Sequence, residues 1–211
     1  MQDPFRASIL ARQAPPVSDR PSLLDERAIE QMRDVAASIM RAVGVHPPQP
    51  TRRSRRATAL HEAGHAVLGQ VEGFAPFSVA IWPDDPGEWS GACWFGAQCR
   101  ITDNSHPAYD LKYARVILAG PLAVELFDTA GPHEPHREFS AFEAAHHFVA
   151  AKCGRLDDRE WILDQLTRNL EYTINTLRAS EGRVSAVANA LMQREAVEFK
   201  QLRRLLVKQT P

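Results

Sequence analysis

Residues 57–71 read ATALHEAGHAVLGQV, and the motif His61-Glu62-Ala63-Gly64-His65 lies at the centre of this stretch. Apolar residues recur through it at helical spacing, which predicts a helix. On a helix, side chains four residues apart lie on the same face, about one turn from each other. His61 and His65 can therefore bind one cation together, with Glu62 beside them.

Zinc is the expected cation, because neutral imidazole suits it and the site needs an open position for water. Glu62 would then be close enough to reach that water. A competing interpretation is a core helix whose two histidines are merely hydrogen-bonded. The histidines border a core in either case, since one side of the helix is apolar: Leu60, Ala63, Gly64, Val67 and Leu68.

Composition limits the possible partners and compartments. The 211 residues carry a formal net charge of −1, which gives no argument for binding nucleic acid or an anionic membrane. The three cysteines are sparse and lack CxxC spacing, so they favour a reducing compartment over a disulfide framework. No apolar stretch is long enough to span a bilayer, and the first twenty residues lack the apolar region of a signal peptide. We expect a cytoplasmic protein.

The chain divides into four parts. Residues 1–20 have no periodicity and are expected to be a mobile tail. The apolar residues of segment 21–44 recur at helical spacing, which predicts an amphipathic helix. Its apolar side would pack on the main domain, on a second copy of the chain or on a separate partner. Residues 45–55 are a Pro- and Arg-rich linker, whose basic cluster we interpret as a solvated charge run rather than a nucleic-acid contact. Residues 56–207 form the main domain.

A β-hairpin is expected after the motif helix. Phe77, Val79 and Ile81 alternate on one side of a predicted strand, residues 83–91 have the composition of a turn, and residues 92–98 predict the return strand. The open edge of such a hairpin could bind an extended peptide through main-chain hydrogen bonds. A purely structural hairpin fits the pattern equally well.

Helical periodicity dominates the remaining sequence. A second helix should start near Pro107, and Gly120-Pro121 should break or kink it. Further helices are predicted over 138–152, after a cap at Asp157 or Asp158, and over 184–192 and 195–207. The sequence thus predicts a mainly α (α+β) fold with one small β-hairpin or sheet element.

Two known ways of supplying the third metal ligand of an HExxH site fit this sequence poorly. In one plan a third histidine stands six residues after the second, with glycine between, but this chain has Val71 and Leu68 at those places. In the other plan a glutamate on the next helix binds the metal. Glu88 is at a suitable distance along the chain, but it lies in the predicted turn, where a ligand would not be rigidly held.

Five stretches occur in the same order as in one known family. They are ALHEAGHAV at 59–67, FSVAIWP at 77–83 followed by GACWF at 91–95, LAGPLAVEL at 118–126, EFSAF at 138–142 and VANALMQREAV at 187–197. They resemble the zinc helix, the strand-loop-strand, the Gly-Gly-x-x-Ala-x-Glu helix, the helix opened by an acidic ligand, and the terminal helices of the peptidase domain of FtsH-type AAA+ metalloproteases. The likeness covers about residues 56–207.

The resemblance implies an acidic third zinc ligand, which is an aspartate in that family. Glu138 falls at the matching place, and either carboxylate can bind zinc through oxygen. His133, His136 and Glu143 remain alternatives, and so does a site without a good third ligand. Glu125 either orients a zinc-binding imidazole from behind or is an exposed helix carboxylate.

Motif and resemblance together predict a Zn²⁺-dependent metalloendopeptidase with a polypeptide substrate and Glu62 as its catalytic acid and base. The chain contains no GxxxxGK[ST] loop, so we expect activity that does not depend on ATP as a single chain. The resemblance also implies a homo-oligomer. Two alternatives are a catalytically silent relative that binds a protein through the 21–44 helix, and a regulator-cleaving peptidase of the anti-repressor type.

Overall fold

The computed structural model describes residues 54–84, 86–96, 107–128 and 159–207. These residues form five helices and a three-stranded antiparallel sheet, which confirms the predicted mainly helical fold with one small β element. In chain order the elements are α1 (Arg55–Glu72), β1 (Pro76–Pro83), β2 (Trp89–Phe95), α2 (Pro107–Phe127), α3 (Arg159–Arg178), α4 (Glu181–Arg194), β3 (Ala196–Glu198) and α5 (Phe199–Leu206).

Several sequence predictions lie outside the described residues. They are the tail 1–20, the helix 21–44, most of the linker 45–55, the helix 138–152, and the cap at Asp157 or Asp158. Of the helices in the described ranges, none combines the length and the apolar character that crossing a bilayer requires.

Helix α1 carries the HExxH motif through the centre of the fold. The Ser54 hydroxyl accepts a hydrogen bond from the backbone N–H of Ala57 at 3.0 Å, which satisfies one donor of the first turn. Gly73 ends the helix at φ 89°, a left-handed conformation that glycine adopts without steric penalty. Between these caps α1 packs against α2, α4, β1 and β2. The motif is therefore enclosed by the rest of the domain.

Helix α2 runs antiparallel to α1 in close contact. A methyl group at Gly64 would collide with the carbonyl oxygen of Ala119 and would lie 2.7 Å from the Cβ atom of Ala123. The two backbones thus approach more closely than an alanine at position 64 would permit. This approach brings the middle of α2 to the histidines of α1.

A break or a kink was predicted at Gly120-Pro121, and the break is wrong, because α2 is one helix from Pro107 to Phe127. Proline lacks the N–H that would bond to the carbonyl four residues earlier, which favours a break. Tertiary packing offsets this loss, since the side chains around Pro121 are almost fully buried: Leu118, Ala119, Leu122, Ala123 and Val124.

A polar cluster joins α1, α2 and α3. The Arg115 guanidinium lies 3.2 Å from the Glu72 carboxylate, whose side chain is 3% exposed. Arg115 also donates to the side-chain oxygen of buried Asn169 at 2.6 Å and stacks over the Tyr172 ring at 4.2 Å. One cation thus holds the end of α1 and the middle of α3 against α2.

The sheet has the order β2-β1-β3, so β1 is its central strand. Strands β1 and β2 form the predicted hairpin, although β2 starts at Trp89, in the segment predicted as a turn. Phe77 is 39% exposed, whereas Val79 and Ile81 are buried. The expectation that all three share one side fails because the pairing register shifts between Pro76 and Ser78.

Strand β3 was not predicted, since residues 195–207 were expected to be helical throughout. Glu195 ends α4 with φ 62°, and the chain then pairs Ala196–Glu198 with β1 before α5 begins. Three residues are too few to show a strand periodicity. Buried Val197, opposite Val79, attaches this strand to the core.

Candidate metal centre

His61 and His65 lie close together on the face of α1 that meets α2. Their Nε2 atoms are 3.0 Å apart, and the two rings are nearly perpendicular, with an interplanar angle of 83°. His61 is 8% exposed, and His65 is half-buried. The structure therefore brings together the two imidazoles that the motif predicted to share a cation.

The orientation of His65 is fixed by helix α2. Its Nδ1 atom lies 2.7 Å from the carbonyl oxygen of Val116. A carbonyl can only accept, so Nδ1 carries the hydrogen, and in the neutral ring Nε2 then presents a lone pair. Histidines that bind metals commonly donate their second ring N–H to such a carbonyl. The lone pair of His65 is thus directed toward the Nε2 atom of His61.

Gly120 of α2 lies directly opposite these nitrogens. A Cβ atom at this position would be 2.5 Å from the Nε2 atom of His65 and 2.6 Å from the Nε2 atom of His61. Because glycine has no Cβ, Gly120 leaves a space next to both Nε2 atoms, close enough for a metal ion there to bind them. The donor set and this space fit a zinc ion.

Glu62 lies beside the histidines against the edge of the sheet, and it is 4% exposed. A Cβ atom at Gly91 of β2 would be 2.6 Å from the Glu62 Cγ atom and 2.9 Å from its Oε1 atom. Because Gly91 has no side chain, the Glu62 side chain can lie in the position that a Cβ at residue 91 would obstruct. The candidate catalytic carboxylate touches the backbone of β2.

The main-chain groups of Gly91 face away from β1. Ile81 donates its N–H to the carbonyl of Glu195 at 2.8 Å, on the side of β1 remote from β2. Gly91 is paired with Ile81 in the antiparallel ladder. When one residue of such a pair directs its N–H and C=O away from the partner strand, the other residue does the same. The N–H and C=O of Gly91 therefore point away from β1, toward the outer edge of β2. Within the described ranges no strand pairs with this outer edge of β2.

Thr58 fixes the position of that edge relative to α1. Its hydroxyl donates to the carbonyl oxygen of Trp89 at 3.0 Å, and the residue is fully buried. Trp89 precedes Gly91 by two residues, so its carbonyl also points away from β1, toward the outer edge of β2. Helix α1 therefore occupies the edge at Trp89, next to the position where Gly91 meets Glu62.

The residues predicted to supply a third ligand lie outside the part of the chain that the structure describes. Glu138 and its alternatives His133, His136 and Glu143 belong to residues 129–158, which are not described. Among the described residues, no three His, Cys, Asp or Glu side chains are grouped closely enough to hold a metal. The described part of the chain supplies two possible zinc ligands, His61 and His65. The third zinc ligand stays a prediction.

Glu125 and Glu88 are both in described segments. Glu125 is half-buried on α2, and its Oε1 atom is inaccessible to solvent, so it is not an exposed helix carboxylate. Glu88 lies in the turn between β1 and β2, as expected from its Pro-rich surroundings.

Sequence reasoning missed the two glycines that shape the site. Gly91 and Gly120 are far from the motif in sequence, and neither has a chemical group that would indicate a role. The resemblance included both stretches, but it did not relate either glycine to a particular side chain. Their contribution is the volume that they leave empty, which becomes visible only when α1, α2 and β2 are packed together.

No protein-family model matches the chain, and no curated protein matches it by sequence.

Proposed function

We propose that this chain is a zinc-dependent peptidase. The observation that supports it most is the pair of Nε2 atoms 3.0 Å apart, with His65 oriented by Val116 and space opposite Gly120. Zinc–nitrogen bonds of about 2.0–2.1 Å in a tetrahedral site place two nitrogens about 3.3 Å apart. A movement of a few tenths of an ångström would bring the imidazoles to that separation.

Glu62 is the proposed catalytic residue. When bound, zinc would supply a Lewis acid that polarises the scissile carbonyl and makes water more acidic. Glu62 takes one proton from the attacking water as the new carbon–oxygen bond forms. It then donates this proton to the amine nitrogen as the carbon–nitrogen bond breaks. Its contact with Gly91 holds the carboxylate beside the strand edge.

The outer edge of β2 from Gly91 onward, beyond the part at Trp89 that α1 occupies, is the proposed peptide-binding surface. An extended polypeptide can add to a sheet edge through main-chain hydrogen bonds, which make no demand on its sequence. Gly91 directs its N–H and C=O outward at the position of Glu62, so a strand added there would pass the carboxylate. This placement favours unfolded or extended polypeptide substrates.

Further parts of the proposal come from the resemblance to FtsH-type peptidase domains and from composition. They include an acidic third ligand at Glu138, a homo-oligomer and a cytoplasmic location. The predicted helix 21–44 would pack on the main domain, on a second copy of the chain or on a separate partner. Cleavage would not depend on ATP, and no nucleic acid is involved.

A second candidate function is a catalytically silent protein-binding module. The same 3.0 Å separation favours it, because this distance also suits a direct hydrogen bond from the Nε2–H of His61 to the Nε2 atom of His65. The two functions differ in metal content: the peptidase needs a zinc ion, and the binding module does not.

The test uses the full chain purified with zinc. We expect one zinc per chain, lost in the His61→Ala/His65→Ala variant, and digestion of an unfolded protein such as casein. Glu62→Gln should keep the zinc but lower the cleavage rate by about 10²–10⁴-fold, since the amide cannot accept the proton. Glu171→Gln, which removes an exposed carboxylate on α3, is the matched control and should leave cleavage unchanged.

The outcomes separate the two candidates. A folded chain without metal or cleavage would support the binding module. Zinc binding with undiminished cleavage by Glu62→Gln would show that another group moves the proton, and the proposed mechanism would then be wrong.

A further inference from the structure

Gly120 occupies an unusual place for a glycine. It lies inside the 21-residue helix α2, where glycine is less favourable than alanine by about 0.5–1 kcal/mol. The neighbouring residue Ala119 and the nearby Ala123 are both fully buried alanines, so a methyl group is acceptable on adjacent faces of the same helix. No left-handed φ calls for glycine here, because the positive-φ glycines of the described residues are Gly73 and Gly87.

The reason for this glycine lies in the space opposite it. The three atoms nearest to a Cβ at position 120 would be the Nε2 and Cε1 atoms of His65 and the Nε2 atom of His61, all within 2.5–2.7 Å. Ordinary contacts of a Cβ atom begin at about 3.4 Å. A methyl group would therefore touch the two atoms that bind the metal in the proposed function.

We infer that Gly120 is a positioning residue for the metal: it keeps the space between the two imidazoles open, so that both lone pairs can reach one cation. This inference rests on the proposed function. Alanine at position 120 would force the rings apart without removing a ligand. To move aside, His65 would have to rotate and lengthen or break the hydrogen bond from its Nδ1–H to Val116, which lies on α2 one turn before Gly120.

The collision at Gly120 differs from the one at Gly64. At Gly64 a methyl group would meet the backbone of Ala119, so the helices themselves would have to separate. At Gly120 it would meet the ends of side chains, which can rotate while both helices stay in place. Gly120→Ala should therefore impair metal binding much more than folding.

The first experiment compares zinc affinity in the full chain by competition with a chromophoric chelator. Gly120→Ala should weaken zinc binding at least 100-fold, although His61 and His65 remain. Gly182→Ala is the matched control, because a Cβ at that position on helix α4 would have no described atom within 4 Å apart from its chain neighbours and the backbone of its own helix. It should bind zinc as the unmodified chain does.

A second experiment needs no metal. In the His61→Ala/His65→Ala background, Gly120→Ala should raise the urea midpoint, because the methyl group then meets no imidazole and alanine is the better helix former. In the otherwise unmodified chain, without metal, the same substitution should raise the midpoint less or lower it. Equal changes in the two backgrounds would show that the methyl group does not meet the histidines, and would overturn the inference.

The outcomes for the two proposals remain distinct. If the unmodified chain binds zinc and Gly120→Ala binds it within threefold, this inference is wrong and the proposed function stands. If the unmodified chain binds no zinc, both are wrong.

Discussion

Replacing Arg115 with methionine should destabilise the domain by about 4 kcal/mol. The substitution leaves the Glu72 carboxylate, 3% exposed, without the cation 3.2 Å away. Removing one partner of a buried ion pair costs about 3–5 kcal/mol, and we take about 3 because Arg115 is itself 24% exposed. Loss of the hydrogen bond to buried Asn169 adds about 1 kcal/mol.

A double-mutant cycle separates the ion pair from the other contacts of Arg115. Glu72→Gln should cost only about 1–2 kcal/mol, because the amide oxygen can still accept from the guanidinium. The double variant leaves no charge buried at this place, so it should lose about 3 kcal/mol less than the sum of the single variants. Urea unfolding of all four proteins measures these values. Additive losses, or a loss below about 1 kcal/mol for Arg115→Met, would refute the reasoning.

Two further predictions concern the contacts of α1. Gly64→Ala should lower the free energy of unfolding by about 1–3 kcal/mol, because its methyl group meets the Ala119 backbone; an unchanged urea midpoint would mean that the helices are not in such close contact. Thr58→Val keeps the side-chain volume but removes the hydrogen bond to the Trp89 carbonyl, and it should cost about 1 kcal/mol. Equal unfolding curves for Thr58→Val and the unmodified chain would show that this bond does not stabilise the fold.

The sequence predicted the features that depend on neighbouring residues. The helical spacing around His61 and His65 placed both imidazoles on one face, because four residues make about one helical turn. The hairpin followed from alternation and turn composition. Mainly helical periodicity elsewhere gave the correct fold class.

The features that escaped prediction depend on residues distant in sequence. Strand β3 exists because Val197 packs beside Val79, and three residues carry no periodic signal. Helix α2 continues through Pro121 because its surroundings are buried, which local propensity does not record. The space at Gly120 appears only when two helices meet. Packing between elements decided each of these cases.

The central position of β1 has a consequence for self-association. Since β1 is paired on both sides, a second copy that extends the described sheet would have to add at β2 or at the short β3. Addition at β2 would cover the outward N–H and C=O of Gly91, the groups proposed to receive a polypeptide. Dimerisation through that strand and substrate binding would then compete, so cleavage per molecule would fall as the protein concentration rises.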